Sequence, residues 1–169
     1  MDNEIINKVA NSGLINLDLE DYYVKGPRKV IDIKDQLFMG MILKEKDFRE
    51  WIKTHDWTQY NGAMVAVHCS EDAIIPVWSY MLLAAALEPH AKRVVFGDLE
   101  DLETELYKEV IDNLDVSEFD DQRLIIKGCG NLPVPRAAFL MLTRKLQPIA
   151  KSIMYGEACS TVPIYKRNN

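Results

Sequence analysis

From residue 63 onward, apolar positions fall into short continuous blocks separated by stretches with helical spacing. Residues 63–68 (Ala-Met-Val-Ala-Val-His), 93–96, 123–127 and 152–155 are the blocks, and glycines follow three of them at Gly97, Gly128 and Gly156. Continuous rather than alternating apolar runs mark strands covered on both faces, as in a parallel sheet. Between the blocks, helices are predicted over 76–87, 99–114 and 135–146. Pro76 and Pro135 open two of these, because a first helical turn has no use for the N–H that proline lacks. The helix over 99–114 is amphipathic, with Leu102, Leu106, Val110 and Leu114 as a stripe and acids opposite. The helix over 76–87 is apolar nearly all round, which predicts burial on more than one side. The order over 63–155 is therefore β-α-β-α-β-α-β. The expected fold class is α/β, a mostly parallel sheet with helices on both faces in three layers.

The earlier part of the chain reads as an extension of that core. A short helix is expected over 3–11, with Ile5, Ile6 and Val9 on one face and Gly13 as its stop. Residues 14–19 alternate, a half-buried strand. Lys25-Gly-Pro is a turn, 30–33 starts a second strand, and 45–55 is a helix with Phe48, Trp51 and Ile52 at core spacing. Residues 35–44 fit no pattern. With no linker, composition shift or long repeat in view, the reading is a single domain over 1–169, its first 45 residues an ancillary layer.

Composition narrows the function classes. The chain has 169 residues and a formal net charge of −6. That balance opposes a nucleic-acid domain, which carries a basic face. The acidic start, Met1-Asp2-Asn3-Glu4, is unlike a secretory signal, and no apolar run approaches the ~18 residues of a membrane span. The expected location is the cytoplasm, where cysteines stay reduced.

The three cysteines, Cys69, Cys129 and Cys159, all follow predicted strand ends, where α/β sheets bind ligands. Each is followed by Ser or Gly and then by Pro a few residues on. If one sheet holds all the strands, the thiols share one edge. Three thiolates there would hold zinc or an iron–sulfur cluster. Asp98, after Gly97 at the same edge, is the best fourth ligand, with His68, Asp72 or solvent as alternatives. No C-x-x-C pair is present, however, and free cysteine often packs as a small hydrophobe. Cys129, between Gly128 and Gly130 and ahead of a helix N-terminus, is alternatively a lone nucleophile.

Other features point less far. Gly128-Cys-Gly is neither a dinucleotide nor a P-loop fingerprint, and Ser70 lacks the G-x-S-x-G elbow. His55 and His90 suit surface or capping roles. Trp51, Trp57 and Trp78 suit the core, with Trp78 or Tyr80 placed to line a pocket.

The runs His68-Cys-Ser-Glu-Asp-Ala-Ile-Ile-Pro-Val-Trp-Ser-Tyr-Met-Leu-Leu83, Lys127-Gly-Cys-Gly-Asn-Leu-Pro-Val-Pro135 and Ser152-Ile-Met-Tyr-Gly-Glu-Ala-Cys-Ser-Thr-Val-Pro-Ile-Tyr-Lys-Arg167 resemble a bacterial family, domain of unknown function number 2480. The resemblance implies a small cytoplasmic bacterial protein with no assigned chemistry, and iron–sulfur assembly proteins as its partners. Three functional readings follow. The first is a metal- or cluster-binding accessory protein using Cys69, Cys129 and Cys159. The second is a thiol enzyme with Cys129 as nucleophile, in sulfur or acyl transfer. The third is a binding module with inert cysteines.

Overall fold

A computed structural model describes residues 13–168; the helix expected over 3–11 lies outside them. The protein is mixed α/β, with helices and strands in alternation. In chain order come β1 (Leu14–Asp18), β2 (Arg28–Asp32), α1 (Glu45–Thr54), β3 (Met64–His68), α2 (Val77–Leu87), β4 (Arg93–Phe96), α3 (Leu99–Asn113), β5 (Arg123–Lys127), α4 (Arg136–Leu146), β6 (Ser152–Glu157) and β7 (Ser160–Lys166). Every strand pair is parallel except β6 with β7. None of the described helices is long and apolar enough to cross a membrane.

The expected single sheet is two. One runs β1-β5-β6-β7 and the other β2-β3-β4. They belong to two compact units: Lys25–Glu105, and the residues up to Val24 together with Leu106 onward. Each unit has its own core. In the first, Ile31, Ile33, Phe48, Tyr60, Val65, Val67, Leu83 and Leu87 are buried together. In the second, Leu17, Leu19, Tyr107, Phe119, Leu124, Ile126, Leu142 and Leu146 are.

These two sets are the same set written twice, so the reading of no long repeat is corrected. Phe48 and Tyr107, Tyr60 and Phe119, Val65 and Leu124, Val67 and Ile126, Leu83 and Leu142, Leu87 and Leu146 each stand 59 residues apart. Pro76 and Pro135, Pro89 and Pro148, Ala91 and Ala150, Lys92 and Lys151, Gly97 and Gly156 keep that offset and are identical. Hydrogen bonds repeat with it. Gly62 N–H donates to the His90 carbonyl and Asp121 N–H to that of Ile149, both at 2.9 Å. Gly62 and Asp121 also share a left-handed backbone, at φ 70° and 54°, which sets the turn into the strand. The first strands repeat at a shorter offset. Asp18 and Asp32 each accept a hydrogen bond from the N–H two residues on, at 3.0 and 3.1 Å. β1 then lies beside β5, and β2 beside β3, in matching register (Leu14 opposite Arg123, Arg28 opposite Met64).

The tail, to which the sequence pattern assigns no element, forms a strand, β7, that contains Pro163. Proline is tolerated there because β7 is an edge strand and its register shifts beside Met154. Helix α2 is also less buried than its composition implies. It buries Ser79, Leu83 and Leu87, yet leaves Val77 74% and Met81 67% exposed.

Candidate thiol site

The strand-to-helix loop after β5 is drawn tightly against the segment after β1. A Cβ on Gly128 would stand 2.9 Å from Leu19 Cβ, and one on Gly130 would run into the Glu20 carboxylate. Glycine at both positions therefore lets the backbone pass. Glu20 Oε1 accepts from Leu132 N–H at 3.1 Å and anchors the far side of the loop. Cys129 is held between the glycines, exposed and reduced.

Its thiol forms a hydrogen bond with the Tyr155 hydroxyl, 2.8 Å away on β6. That bond, together with the charge Cys129 carries as thiolate, raises the Tyr155 phenol above its ordinary range. The phenol thus keeps its proton, and either partner can be the donor of the shared hydrogen bond. Phe139 of α4 packs edge-on against the Tyr155 ring at 5.9 Å and fixes its position.

Cys129 and Tyr155 line two cavities at once. One, of about 410 Å³, is apolar, walled by Ile126, Phe139, Ile153, Met154 and Ile164, with Arg136 and Thr143 as its polar groups. The other, of about 280 Å³, is polar, lined by Asp18, Glu20, Lys127 and Glu157. Lys127 Nζ lies 3.4 Å from Asp18 and 3.6 Å from Glu157. The Glu157 charge and the Asp18 contacts hold the Lys127 ammonium above its ordinary range. Arg136 opens α4, whose N-terminal N–H groups favour negative charge in the same place.

The other two cysteines stand on other elements. Cys69 follows β3 in the three-stranded sheet. Cys159 sits in the two-residue turn between β6 and β7. The strand ends on which a common edge was expected are divided between two sheets. Block patterning marks a strand as covered, but says nothing of which strand lies beside it. Among the described residues no three His, Cys, Asp or Glu side chains come together in a way that could hold a metal ion. The carboxylate of Asp98 caps α3 instead, accepting from Glu100 N–H at 2.8 Å and Asp101 N–H at 3.0 Å.

The remaining candidates have ordinary partners. His55 shares a hydrogen bond with Tyr60 at 3.2 Å, within a ring cluster with Trp51 and Trp57. His90 bonds Asn61 at 2.7 Å. Trp51, Trp57 and Trp78 pack against the core. Ser70 donates its hydroxyl to Asp32 at 2.6 Å, and its N–H at 3.0 Å.

The repeat separates what the fold needs from what this loop adds. At the offset of 59, Ser70 stands for Cys129, Phe96 for Tyr155, Val77 for Arg136 and Ala84 for Thr143. At these four positions the Lys25–Glu105 unit carries no thiol, phenol or guanidinium; the cysteine of its own strand-to-helix loop, Cys69, stands one place earlier than the equivalent of Cys129. Tyr155 is the member of the site that sequence reading missed. Its signal was present, since it precedes Gly156 as Phe96 precedes Gly97.

A doubled, mostly parallel α/β fold with a thiol–phenol pair at one strand end is thus the class of protein this is. The chain matches the family described as protein of unknown function (DUF2480) over residues 3–167, and it belongs to that family. No curated protein and no solved structure matches it.

Proposed function

We propose that Cys129 is the nucleophile of a thiol-dependent transferase, acting on a substrate with an apolar arm and an anionic end. The observation that carries this reading is the Cys129–Tyr155 pair, 2.8 Å apart and bordering both an apolar and a polar cavity. The apolar cavity takes the arm, and Arg136 with the α4 N-terminus takes the anion. The Tyr155 hydroxyl stands 2.8 Å from the sulfur, within reach to donate to it during the reaction. In acyl transfer the sulfur adds to the carbonyl carbon and the bond to the leaving group breaks. A thioester then holds the acyl group until a second nucleophile takes it and releases the thiolate. The chain's three histidines all fall within Lys25–Glu105, so none is a base held in this loop's own unit. An exposed thiol that must stay reduced suits a cytoplasmic location.

The test is alkylation by iodoacetamide across pH, with each cysteine followed by mass spectrometry. Cys129 is expected to react fastest near neutral pH, and Tyr155→Phe to slow it by about tenfold as one charge-assisted hydrogen bond is lost. Cys159, exposed in its turn, is the internal reference. A Cys129 that reacts no faster than Cys159 at every pH would remove the proposal.

A further inference from the structure

β4 is an edge strand whose outer side carries no backbone partner among the described residues, and the repeat shows what such an edge receives. Arg93 N–H and Gly97 N–H donate to the β3 side, to Ala63 and Val67. By alternation the N–H and C=O groups of Val94 and Phe96 point the other way. In the other unit the equivalent residues are Ile153 and Tyr155, and these lie opposite Tyr165 and Val162 of the antiparallel strand β7. Among the described residues the sheet β2-β3-β4 has no such fourth strand. At this edge Phe96 is 73% exposed, with Tyr80 packed edge-on against it at 5.2 Å. Beside it runs a groove of about 770 Å³, lined by Tyr80, Ala84, Val94 and Phe96, with Glu88 and Lys92 among its charged groups. Along α2, Met81 and Val77 extend the exposed apolar surface from Ala84.

We propose that the occupant of this edge is β4 of a second copy of the chain, paired antiparallel about a two-fold axis at Val95. The strand is complementary to itself. Read from Lys92 to Asp98 it is basic at its start, apolar through Val94-Val95-Phe96, and acidic at its end. Reversed against itself about Val95, Lys92 comes opposite Asp98 and Arg93 opposite Gly97. Only registers that place outward-facing residues opposite one another can form hydrogen bonds. The register centred on Val95 does so, setting Val94 against Phe96 of the second copy; Lys92, whose own N–H donates to Ala63 at 2.8 Å, then comes opposite Asp98 of the second copy through its side chain, twice over by symmetry. Phe96 of each copy then lies over the groove of the other, beside Tyr80 and Ala84. The result is one continuous six-stranded sheet. It closes the exposed edge that would otherwise invite open-ended association.

Sedimentation velocity of the whole chain over a range of concentrations tests this. The wild type is expected to show a species of twice the chain mass. Val94→Pro removes an N–H that points away from β3, so it spares the fold while abolishing the double-mass species. Phe96→Asp does the same from an exposed side chain. Lys92→Glu sets like charges opposite one another and raises the dissociation constant about tenfold. A wild type that stays monomeric at every concentration overturns the proposal, as would a dimer that Val94→Pro and Phe96→Asp both leave at wild-type strength. Circular dichroism confirms that each variant is folded, and Phe96→Asp remains decisive should Val94→Pro not fold.

Discussion

Asp32 and Asp18 begin as the same residue, a strand-end carboxylate that turns the chain by accepting an N–H two positions on. They part over what stands at the end of the neighbouring strand. Asp18 faces Lys127, whereas Asp32 receives the hydroxyl and N–H of Ser70. Burial alone would raise the Asp32 carboxyl. The Ser70 and Lys34 hydrogen bonds outweigh it and hold the pKa down at about 2. A carboxyl lowered on folding stabilises the protein above its unfolded pKa of about 3.9, and that stability is lost as pH falls through the folded value. Ser70→Ala is therefore expected to cost about 1 kcal/mol near neutral pH. It should also make stability less dependent on pH between about 4 and 2. Urea titrations at pH 7 and in acid check both. An unchanged acid limb would mean the Ser70 bonds are not what holds Asp32 down.

The other residue-scale contrast is an ion pair inside the Lys25–Glu105 unit. Arg28 donates from Nε and one terminal nitrogen to both oxygens of Glu103, at 2.6 and 3.1 Å, and Glu103 is buried. A forked, desolvated pair is costly to break from one side only. Glu103→Ala leaves Arg28 charged and largely enclosed and is expected to destabilise the protein by about 3 kcal/mol, read as a shift in the urea midpoint.

At the scale of elements, α1 and the later part of α3 occupy equivalent places, and so do Phe48 and Tyr107, each 1% exposed. The difference is one hydroxyl. Tyr107 donates it to the Leu19 carbonyl at 3.0 Å. Tyr107→Phe leaves that buried carbonyl one hydrogen bond poorer, so a loss of about 1–2 kcal/mol is expected. Phe48→Tyr adds a hydroxyl to a core packed around a phenyl ring, and is expected to cost more. Equal and negligible effects in thermal unfolding would mean that this hydroxyl is not what sets the two cores apart. The periodicity of the chain made most of these elements legible. Continuous apolar blocks located β3 to β6, and prolines located the starts of α2 and α4. β7 escaped because its exposed positions are mixed and no apolar block marks it. The surface of α2 was misread because an all-apolar helix implies burial only when every face has a neighbour within the chain.

At the scale of the molecule, what escaped the sequence was partnership. The apolar blocks carry no label for which strand adds to which. Alternate pairings of β1 and β2, with β5 and β3, decide that Cys69 ends a strand of one sheet and Cys129 a strand of the other. The repeat would have revealed this, since proline, leucine, alanine, lysine and glycine recur at one offset from 76 to 156. Its two halves differ enough elsewhere to hide among ordinary α/β patterns.

The repeat also makes the two units unequal in the chain. Lys25–Glu105 is one continuous stretch, while the other unit is assembled from two stretches on either side of it. The buried core of the continuous unit, from Ile31 to Leu87, lies wholly within its own residues, as does the Arg28–Glu103 pair. Its three strands are parallel and joined by local crossings, so no loop from outside is needed to close it. A fragment of residues 25–105 is accordingly expected to unfold in one cooperative transition, with a denaturant slope in proportion to its size. The remaining residues, joined across the gap by a short Gly/Ser linker, must first bring β1 to β5 across the chain and should fold more slowly. A fragment 25–105 that melts without cooperativity would show that the duplicated unit, though it has its own core, is not a folding unit on its own.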